Sequence, residues 1–552
     1  MSNRDTDALW HYHDETKHSY VSIRTGGHRL DFATYPVPFK MYPEIESAPL
    51  PREWKGSGTN ALGALSAIAA AGKETEQAAP IDLQTLAAIL YYSAGITRRR
   101  QYPGGEMYFR AAACTGALYE VELYVACGPL AMLDAGLYHF DPAGFALQKL
   151  RSGDWRGVLA RATGNEAAIE QAPATIICTG TYWRNAWKYQ ARTYRHFFWD
   201  NGTILANLLA EAAALQVPAR LVMGFVDDEV NRLLDLDTVR EVAISMVALG
   251  RGDGPGKKAP AEISALGFKA GPPARGEVDY PLMREAHVAS SLASAEEVRE
   301  WRERRLVPSE AEAAGTLVEL KALPGLAQTV GSKPPVADAS LDSARDRPGS
   351  DCGDAPEDAP KNTIEQVIQR RGSTRRFARA PIGFEQLSTM LIGATRGIAA
   401  DFLGRGDPTP NRWNDLYLIV NAVEGLAAGS YYLRRDGAAL ELLQEGDFRD
   451  RAGYLGLEQE LPADAAVAIF FLADLKAILE RYGNRGYRAA EIEAGIIGGK
   501  LYLAAYAQKI GATGLTFYDD DVTAFFSPHA AGKSAIFLVA AGIPAKRVLR
   551  TV

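Results

Sequence analysis

The chain has 552 residues, 47% hydrophobic and 23% charged, and a net charge of −7 from 60 Lys+Arg against 67 Asp+Glu. That length allows two to four globular domains, and the acidic balance argues against a nucleic-acid or anionic-membrane surface. Cys114, Cys127, Cys178 and Cys352 have no CxxC or metal-ligand spacing, which predicts neither structural disulfides nor a metal site and suits a reducing compartment. The first twenty residues lack the apolar core of a secretory leader. No apolar run reaches the roughly 18 residues that a membrane span needs. The expectation is a cytoplasmic protein that does not engage membranes.

Residues 1–60 form a polar, aromatic-rich extension that carries Trp10, His11, Tyr12, His13 and His18. No acidic or Cys ligand stands near these at metal spacing, so the segment reads as an arm covering a site or another part of the chain. Residues 61–251 then give an amphipathic helix (83–92), a strand (118–127), a hairpin-like piece, a buried strand (175–179), a long helix (195–215) and a last strand (243–249). Residues 252–361 are rich in Gly, Pro, Ala and Asp at both ends and read as a linker, flexible in its second stretch. Within it, SAEEVREWRERR predicts one short exposed helix with Ser294 as N-cap. Residues 362–552 repeat the first rhythm with helix 384–394, strand 416–422, buried strand 465–472, helix 488–510 and strand 534–541.

The second rhythm is a copy of the first. GLYHFDPAGFALQKLRSGDWR from Gly136 lies over GSYYLRRDGAALELLQEGDFR from Gly429 at an offset of 293. KYQARTYRHFFWDNG from Lys188 lies over RYGNRGYRAAEIEAG from Arg481 at the same offset, matching Tyr189, Arg192, Tyr194, Arg195 and Gly202 with their own kind. GFVDDEV from Gly224 meets TFYDDDV from Thr516 at 292. One offset held over some ninety residues marks a tandem duplication. Strands alternating with helices predict an α+β fold of two α/β sandwich domains.

Three segments carry chemistry. RRGSTRR ends a helical pattern in copy two, and Arg371, Ser373 and Arg375 alternate so that two guanidiniums and a hydroxyl can converge on a phosphate. The other reading is a solvated basic turn. Copy one has AAGKE at the matching place, without Arg or Ser. FRAAACTGALYEVELYVA (109–126) and KYQARTYR (188–195) stand in copy one. A Tyr near a cationic Lys ionises more easily, and a desolvated Lys can act as a base. The bland reading is a structural helix start. Copy two has Arg481-Tyr482 there, and Arg cannot serve as a proton-transfer base.

These segments resemble the nitroreductase superfamily and, within it, the SagB-type azoline dehydrogenases. RGSTR followed by Pro381-Ile382 resembles the family opening that holds the FMN phosphate. Residues 109–126 resemble R-x-x-P-S-x-G-A-L-Y-P-x-E-L-Y, with Ala113 and Cys114 in place of Pro-Ser. KYQARTYR resembles the K-Y-x-x-R-x-Y-R signature. The resemblance implies an FMN-dependent dehydrogenase or oxidase that passes a hydride from a heterocyclic or peptide-derived substrate to flavin N5. Lys188 and Tyr189 would be catalytic. Arg371, Ser373 and Arg375 would hold the phosphate, Ala113, Cys114 and Thr115 would pack on the ring, and Thr516-Phe517 would lie near N5. Lys546 and Arg547 in the tail would reach the phosphate. An NAD(P)H-dependent nitro or quinone reductase, and a non-catalytic flavin-binding or scaffold protein, stay open as alternatives. In the family the cofactor lies between two protomers. Here the two copies would pair within one chain as a pseudo-dimer, with further homo-oligomerisation left open. The losses in each copy fall on one composite site, so one FMN per chain is expected.

Overall fold

The structure is a computed structural model that describes residues 2–70, 79–102, 105–252, 262–306, 310, 312–326, 362–403, 412–435 and 438–545. Two seven-stranded sheets form its framework. The first holds β1 (Ser47–Pro49), β2 (Val121–Cys127), β3 (Gly136–Asp141), β4 (Ala146–Ser152), β5 (Ala174–Thr181), β6 (Ala219–Val222) and β7 (Glu241–Leu249), in the order β1-β4-β3-β2-β5-β7-β6. The second holds β8 (Leu317–Glu319), β9 (Asn414–Val420), β10 (Gly429–Leu433), β11 (Ala439–Glu445), β12 (Val467–Ala473), β13 (Gly511–Leu515) and β14 (Ser534–Gly542), in the order β8-β11-β10-β9-β12-β14-β13. All pairs within both sheets are antiparallel. The orders are the same, and so is the register: Tyr124 faces Ile177 and Tyr417 faces Phe470, each 293 residues on. The central strands β2, β5, β9 and β12 are buried along their whole length, so they read as continuous apolar runs rather than alternating ones.

Helices cover the sheets. In copy one these are α3 (Ala61–Ala70), α4 (Leu83–Ala94), α5 (Tyr182–Tyr189) and α6 (Thr193–Ala214). Their counterparts in copy two are α9 (Ile364–Arg370), α10 (Phe384–Thr395), α11 (Leu475–Tyr482) and α12 (Arg485–Ala507). The long helices α6 and α12 pack on each other at the centre of the molecule. They cross where Gly202 meets Gly495, its own counterpart: a Cβ on Gly202 would stand 2.5 Å from the Gly495 backbone. Only two glycines let the backbones approach that closely, and the crossing marks a pseudo-twofold axis between the copies. No described helix is long and apolar enough to cross a membrane.

The duplication also reaches into the two segments that seemed to lie outside it. Helix α1 (Asp7–Glu15) and helix α7 (Pro281–Ala289) dock in the same way on opposite sides of the pseudo-axis. Arg195 donates to the His13 carbonyl (2.6 Å) and Arg488 to the His287 carbonyl (2.6 Å). His13 Nδ1 lies 3.2 Å from Tyr487 Oη, and His287 Nδ1 lies 3.4 Å from Tyr194 Oη. Strands β1 and β8 then close the outer edge of each sheet, with Ser47 opposite Gln148 and Leu317 opposite Glu441. The described residues of 281–319, read as linker, therefore form a second copy of the N-terminal arm, packed into copy two.

The helix predicted from SAEEVREWRERR is α8 (Ala295–Glu303), and Ser294 caps it by accepting from the Glu297 amide. It is not an exposed helix, since Val298 and Trp301 are buried. Its counterpart in the N-terminal arm, α2 (Tyr20–Thr25), buries nothing. Residues 331–361, the stretch read as flexible, lie outside the described residues.

Candidate functional site

Each copy contributes to two composite sites related by the pseudo-axis. The first site joins the loop 110–119, Lys188 and Tyr189 of copy one to Arg371–Arg375 and Thr516-Phe517 of copy two. The reciprocal site joins Arg412-Trp413, Arg481 and Tyr482 of copy two to α3 and residues 223–226 of copy one.

In the first site Arg371 follows the last residue of α9, whose start is fixed by a capping box between Thr363 and Gln366. Its guanidinium crosses to copy one and donates to the Ala111 carbonyl at 2.7 and 3.0 Å. Burial lowers its pKa, with a further push from Arg98, and no described carboxylate pairs with it. Ser373 Oγ is 3.3 Å from Tyr502 Oη. Arg375 is exposed, and its charge acts on the Tyr189 phenol. A half-buried cation without a described carboxylate partner, next to a hydroxyl and a second, exposed guanidinium, is a donor set suited to a phosphate.

The loop of copy one is held from behind. Asp200 on α6 accepts from the Thr115 amide (2.8 Å) and the Thr115 hydroxyl (2.9 Å). Cys114 Sγ lies 3.2 Å from Asp200 and 3.4 Å from Glu120, so its side chain turns inward. Burial, with Asp200 and Glu120, pushes the thiol well up and keeps it protonated. Burial and Glu120 likewise push the Asp200 carboxyl up. The three donors lie within 4.8 Å of one another, a grouping that sequence spacing missed because Asp200 is 86 residues from Cys114. Asp200 and Cys114 both fix the loop from behind. Ala113, Cys114, Ala112, Arg110 and Tyr119 line a small cavity with Asp200. At Gly116 the backbone is left-handed (φ +65°), and a Cβ there would stand 2.9 Å from Tyr189 Oη. Glycine lets the tyrosine lie against the loop.

Lys188 and Tyr189 end α5, ahead of a 3-10 turn at Gln190–Arg192. Lys188 is exposed, and its Nζ lies over the Tyr189 ring, 5.2 Å from the centroid. It does not ease ionisation of the phenol, as the sequence suggested. Burial, Asp200, Cys114 and Glu120 hold the phenol well above its usual range, which makes Tyr189 a proton donor at neutral pH. Thr516 Oγ1 pairs with His18 Nδ1 of the arm at 2.9 Å. Phe517 is buried against Trp199, with Arg192 over its ring. The Thr516 and Phe517 amides make no hydrogen bond among the described residues. Lys546 and Arg547 lie outside the described residues.

The reciprocal site is filled. Trp301 of α8, 1% exposed, stands with its ring centre 5.6 Å from that of Tyr482, whose other neighbour is Trp413 at 4.5 Å. Trp301 also covers Gly224, where a Cβ would come within 3.1 Å of the indole. The Met223 and Gly224 amides donate to Asp401 at 2.9 Å each. Tyr482 Oη donates to the Arg304 carbonyl (2.8 Å) and Arg481 to the Arg305 carbonyl (2.8 Å). Helix α3, opposite α9, has no cation in its sequence. Of residues 70–74, opposite Arg371–Arg375, all but Ala70 lie outside the described residues.

One clamp is common to both sites. Asp519 pairs with Arg192 (3.1 Å) and Arg195 (2.8 Å), and Asp227 pairs with Arg485 (2.8 Å) and Arg488 (2.7 Å). Each Asp also holds the arm: Asp519 accepts from the His18 amide (2.8 Å) and Asp227 from the Leu292 amide (3.0 Å).

Comparison with known proteins places these features. The sequence matches the Nitroreductase family twice, over residues 77–251 and 368–530. A Methanocaldococcus jannaschii protein named as a nitroreductase, MJ1384, is 24% identical over 172 residues, covering 31% of this chain and 82% of that protein. The crystal structure of an Anabaena variabilis protein named as a nitroreductase superposes with a TM-score of 0.71 at 25% identity, covering 98% of this chain and 99% of the other. The two-copy architecture therefore occurs there within a single chain.

Proposed function

Because the chain belongs to the nitroreductase family of flavin-type oxidoreductases, we propose that it binds one FMN, in the first composite site, and oxidises a heterocyclic or peptide-derived substrate by two electrons in the manner of SagB-type dehydrogenases. The observation that carries this reading is Arg371, a cation with no described carboxylate partner that reaches from copy two onto the loop of copy one. Arg371, Ser373 and Arg375 hold the phosphate and ribityl end. The backbone of Ala113, Cys114 and Thr115 would support the cofactor ring, and the Thr516 and Phe517 amides, without a hydrogen bond among the described residues, would donate to it. If Lys546 and Arg547 contribute, they do so at the phosphate. When bound, the flavin supplies a two-electron acceptor for a hydride.

The chain's own residues do the rest. Arg371 and Arg375 fix the anionic end. Tyr189, kept protonated by burial and by Asp200, orients the substrate as a hydrogen-bond donor. Lys188 places a positive charge at the mouth, where it attracts a carboxylate-bearing substrate. The KYQARTYR signature favours oxidation over the alternative, reduction of a nitro or quinone substrate by NAD(P)H.

The test is anaerobic mixing of the flavin-loaded chain with a synthetic thiazoline-containing dipeptide or with NADPH, followed at the flavin absorbance band. Bleaching by the thiazoline supports the reading. Bleaching by NADPH alone replaces it with the reductase.

A further inference from the structure

Tyr189 is a donor in this site, so an oxidation that releases a proton needs another group to take it. The first turn of α6 holds one. His196, 2% exposed, sets Nδ1 2.8 Å from Asn185 Oδ1, and the same oxygen accepts from Thr193 Oγ1 at 2.9 Å. With Asn185 Oδ1 turned to the ring and its Nδ2 making no hydrogen bond among the described residues, Nδ1 carries the imidazole proton and Nε2 is left as the acceptor. Nε2 makes no hydrogen bond among the described residues. The Nε2 atoms of His13 and His287 are sealed from solvent, and that of His196 is not. The ring meets Tyr189 edge-on at 4.7 Å and lies 5.0 Å from Trp199. The charged and titratable groups around it are Arg192 and Arg195 on its own side, His18 from the arm, and Tyr189 from α5. Burial first, then the arginines and His18, keep it neutral.

The second copy supplies an internal control. At the places of Asn185, Thr193 and His196 it has Ile478, Gly486 and Ala489. The same helices pack there with apolar residues, so the fold does not require this polar relay. The arm follows suit: the backbone clamp of Asp519 on His18 is repeated by Asp227 on Leu292, yet only the first site has an imidazole, facing Thr516.

We infer that Nε2 of His196 is the proton acceptor of the reaction in the first site, with Asn185 as the residue that positions it. This rests on the oxidative reading above. In a thiazoline, one ring C–H leaves with its electron pair to the isoalloxazine, and the neighbouring C–H leaves its own pair to form the new C=C bond. The proton of the second C–H goes to Nε2 and leaves an imidazolium. The negative charge of the reduced cofactor favours that imidazolium at the moment it forms. The electrons leave later to dioxygen or a quinone-class acceptor.

The experiment uses the full FMN-loaded chain and the thiazoline dipeptide. His196→Ala, a residue the equivalent place already tolerates, is expected to slow flavin bleaching by about 100-fold or more with flavin content unchanged. Asn185→Asp keeps the acceptor and adds a negative charge, so the acid limb of the bleaching rate should move to higher pH by about one unit or more. Nitrogen-15 NMR of the wild-type imidazole should show a neutral ring protonated at Nδ1 at pH 7. A bleaching rate within twofold of wild type in His196→Ala, or an Nε2-protonated ring, overturns the assignment while leaving the oxidase reading standing. Wild-type protein that bleaches with NADPH and never with the thiazoline overturns both.

Discussion

The two composite sites share a scaffold and differ in their contents. Both have the Asp–Arg–Arg clamp, the docked arm helix and a tyrosine 293 residues from its twin. Among the described residues, only the first leaves the amide at Thr516, the counterpart of Gly224, without a hydrogen bond and sets an imidazole against its tyrosine. Arg371 there reaches across to the loop of the other copy, whereas Arg412 of the reciprocal site stays on carbonyls of its own copy. In the reciprocal site Asp401 takes up the turn amides, and Trp301 fills the space between Gly224 and Tyr482. The difference teaches that the clamp and arms belong to the shared scaffold, whereas the polar groups of the first site are not required by it, as the proposed cofactor site expects. A Trp plug also removes the open space left when a duplicated site is not used, and so avoids the cost of a cavity.

The comparison can be broken most sharply at the two tyrosines. Tyr189→Phe, which removes one hydrogen bond worth about 1.5–3 kcal/mol to a charged transition state, is expected to lower the rate of flavin bleaching by the thiazoline by roughly 10- to 150-fold with flavin content unchanged, and Tyr482→Phe to leave it within twofold. Trp301→Ala should cost about 3–5 kcal/mol of unfolding free energy, read by chemical denaturation, without admitting a second flavin. Arg371→Ala should weaken FMN binding by about 2–3 kcal/mol, roughly 30- to 150-fold, measured by titrating the apoprotein with FMN.

The smallest effect tests what the sites share. The arginines hold Asp519 and Asp227 down to about 2, against an ordinary 3.8, despite their burial. Each carboxylate therefore contributes stability that is present above about pH 4 and is lost as pH falls towards 2. The contribution is about 2 kcal/mol per site at neutral pH. Asp519→Asn and Asp227→Asn should each flatten the acid limb of the stability curve to a similar extent, and a one-sided effect would deny the symmetry of the scaffold.

Much of this was legible in the sequence. The constant offset foretold two like domains, but the matched Gly202 and Gly495 did not by themselves show that the long helices cross there. RGSTR and KYQARTYR named side chains that the fold brings to one side of the interface, with Arg371 on the Ala111 carbonyl and Arg375 acting on Tyr189. The second arm was not legible. Its sequence, LMREAHVAS against ALWHYHDET, keeps an identical residue only at His287 over His13, because docking runs in part through the carbonyls of those two residues, which any residue supplies. Trp301 read as part of an exposed helix, since AEEVREWRE is mostly charged and only the arm's path buries its Val298–Trp301 stripe. The Lys188 effect on Tyr189 was misjudged because sequence adjacency put the ammonium near the ring face and not at the hydroxyl.

The most direct test of the central claim is the flavin count of the purified chain after saturation with FMN, from the absorbance spectrum against protein concentration. The asymmetry of the two sites predicts one FMN per chain, unchanged in Trp301→Ala. Two FMN per chain would contradict it.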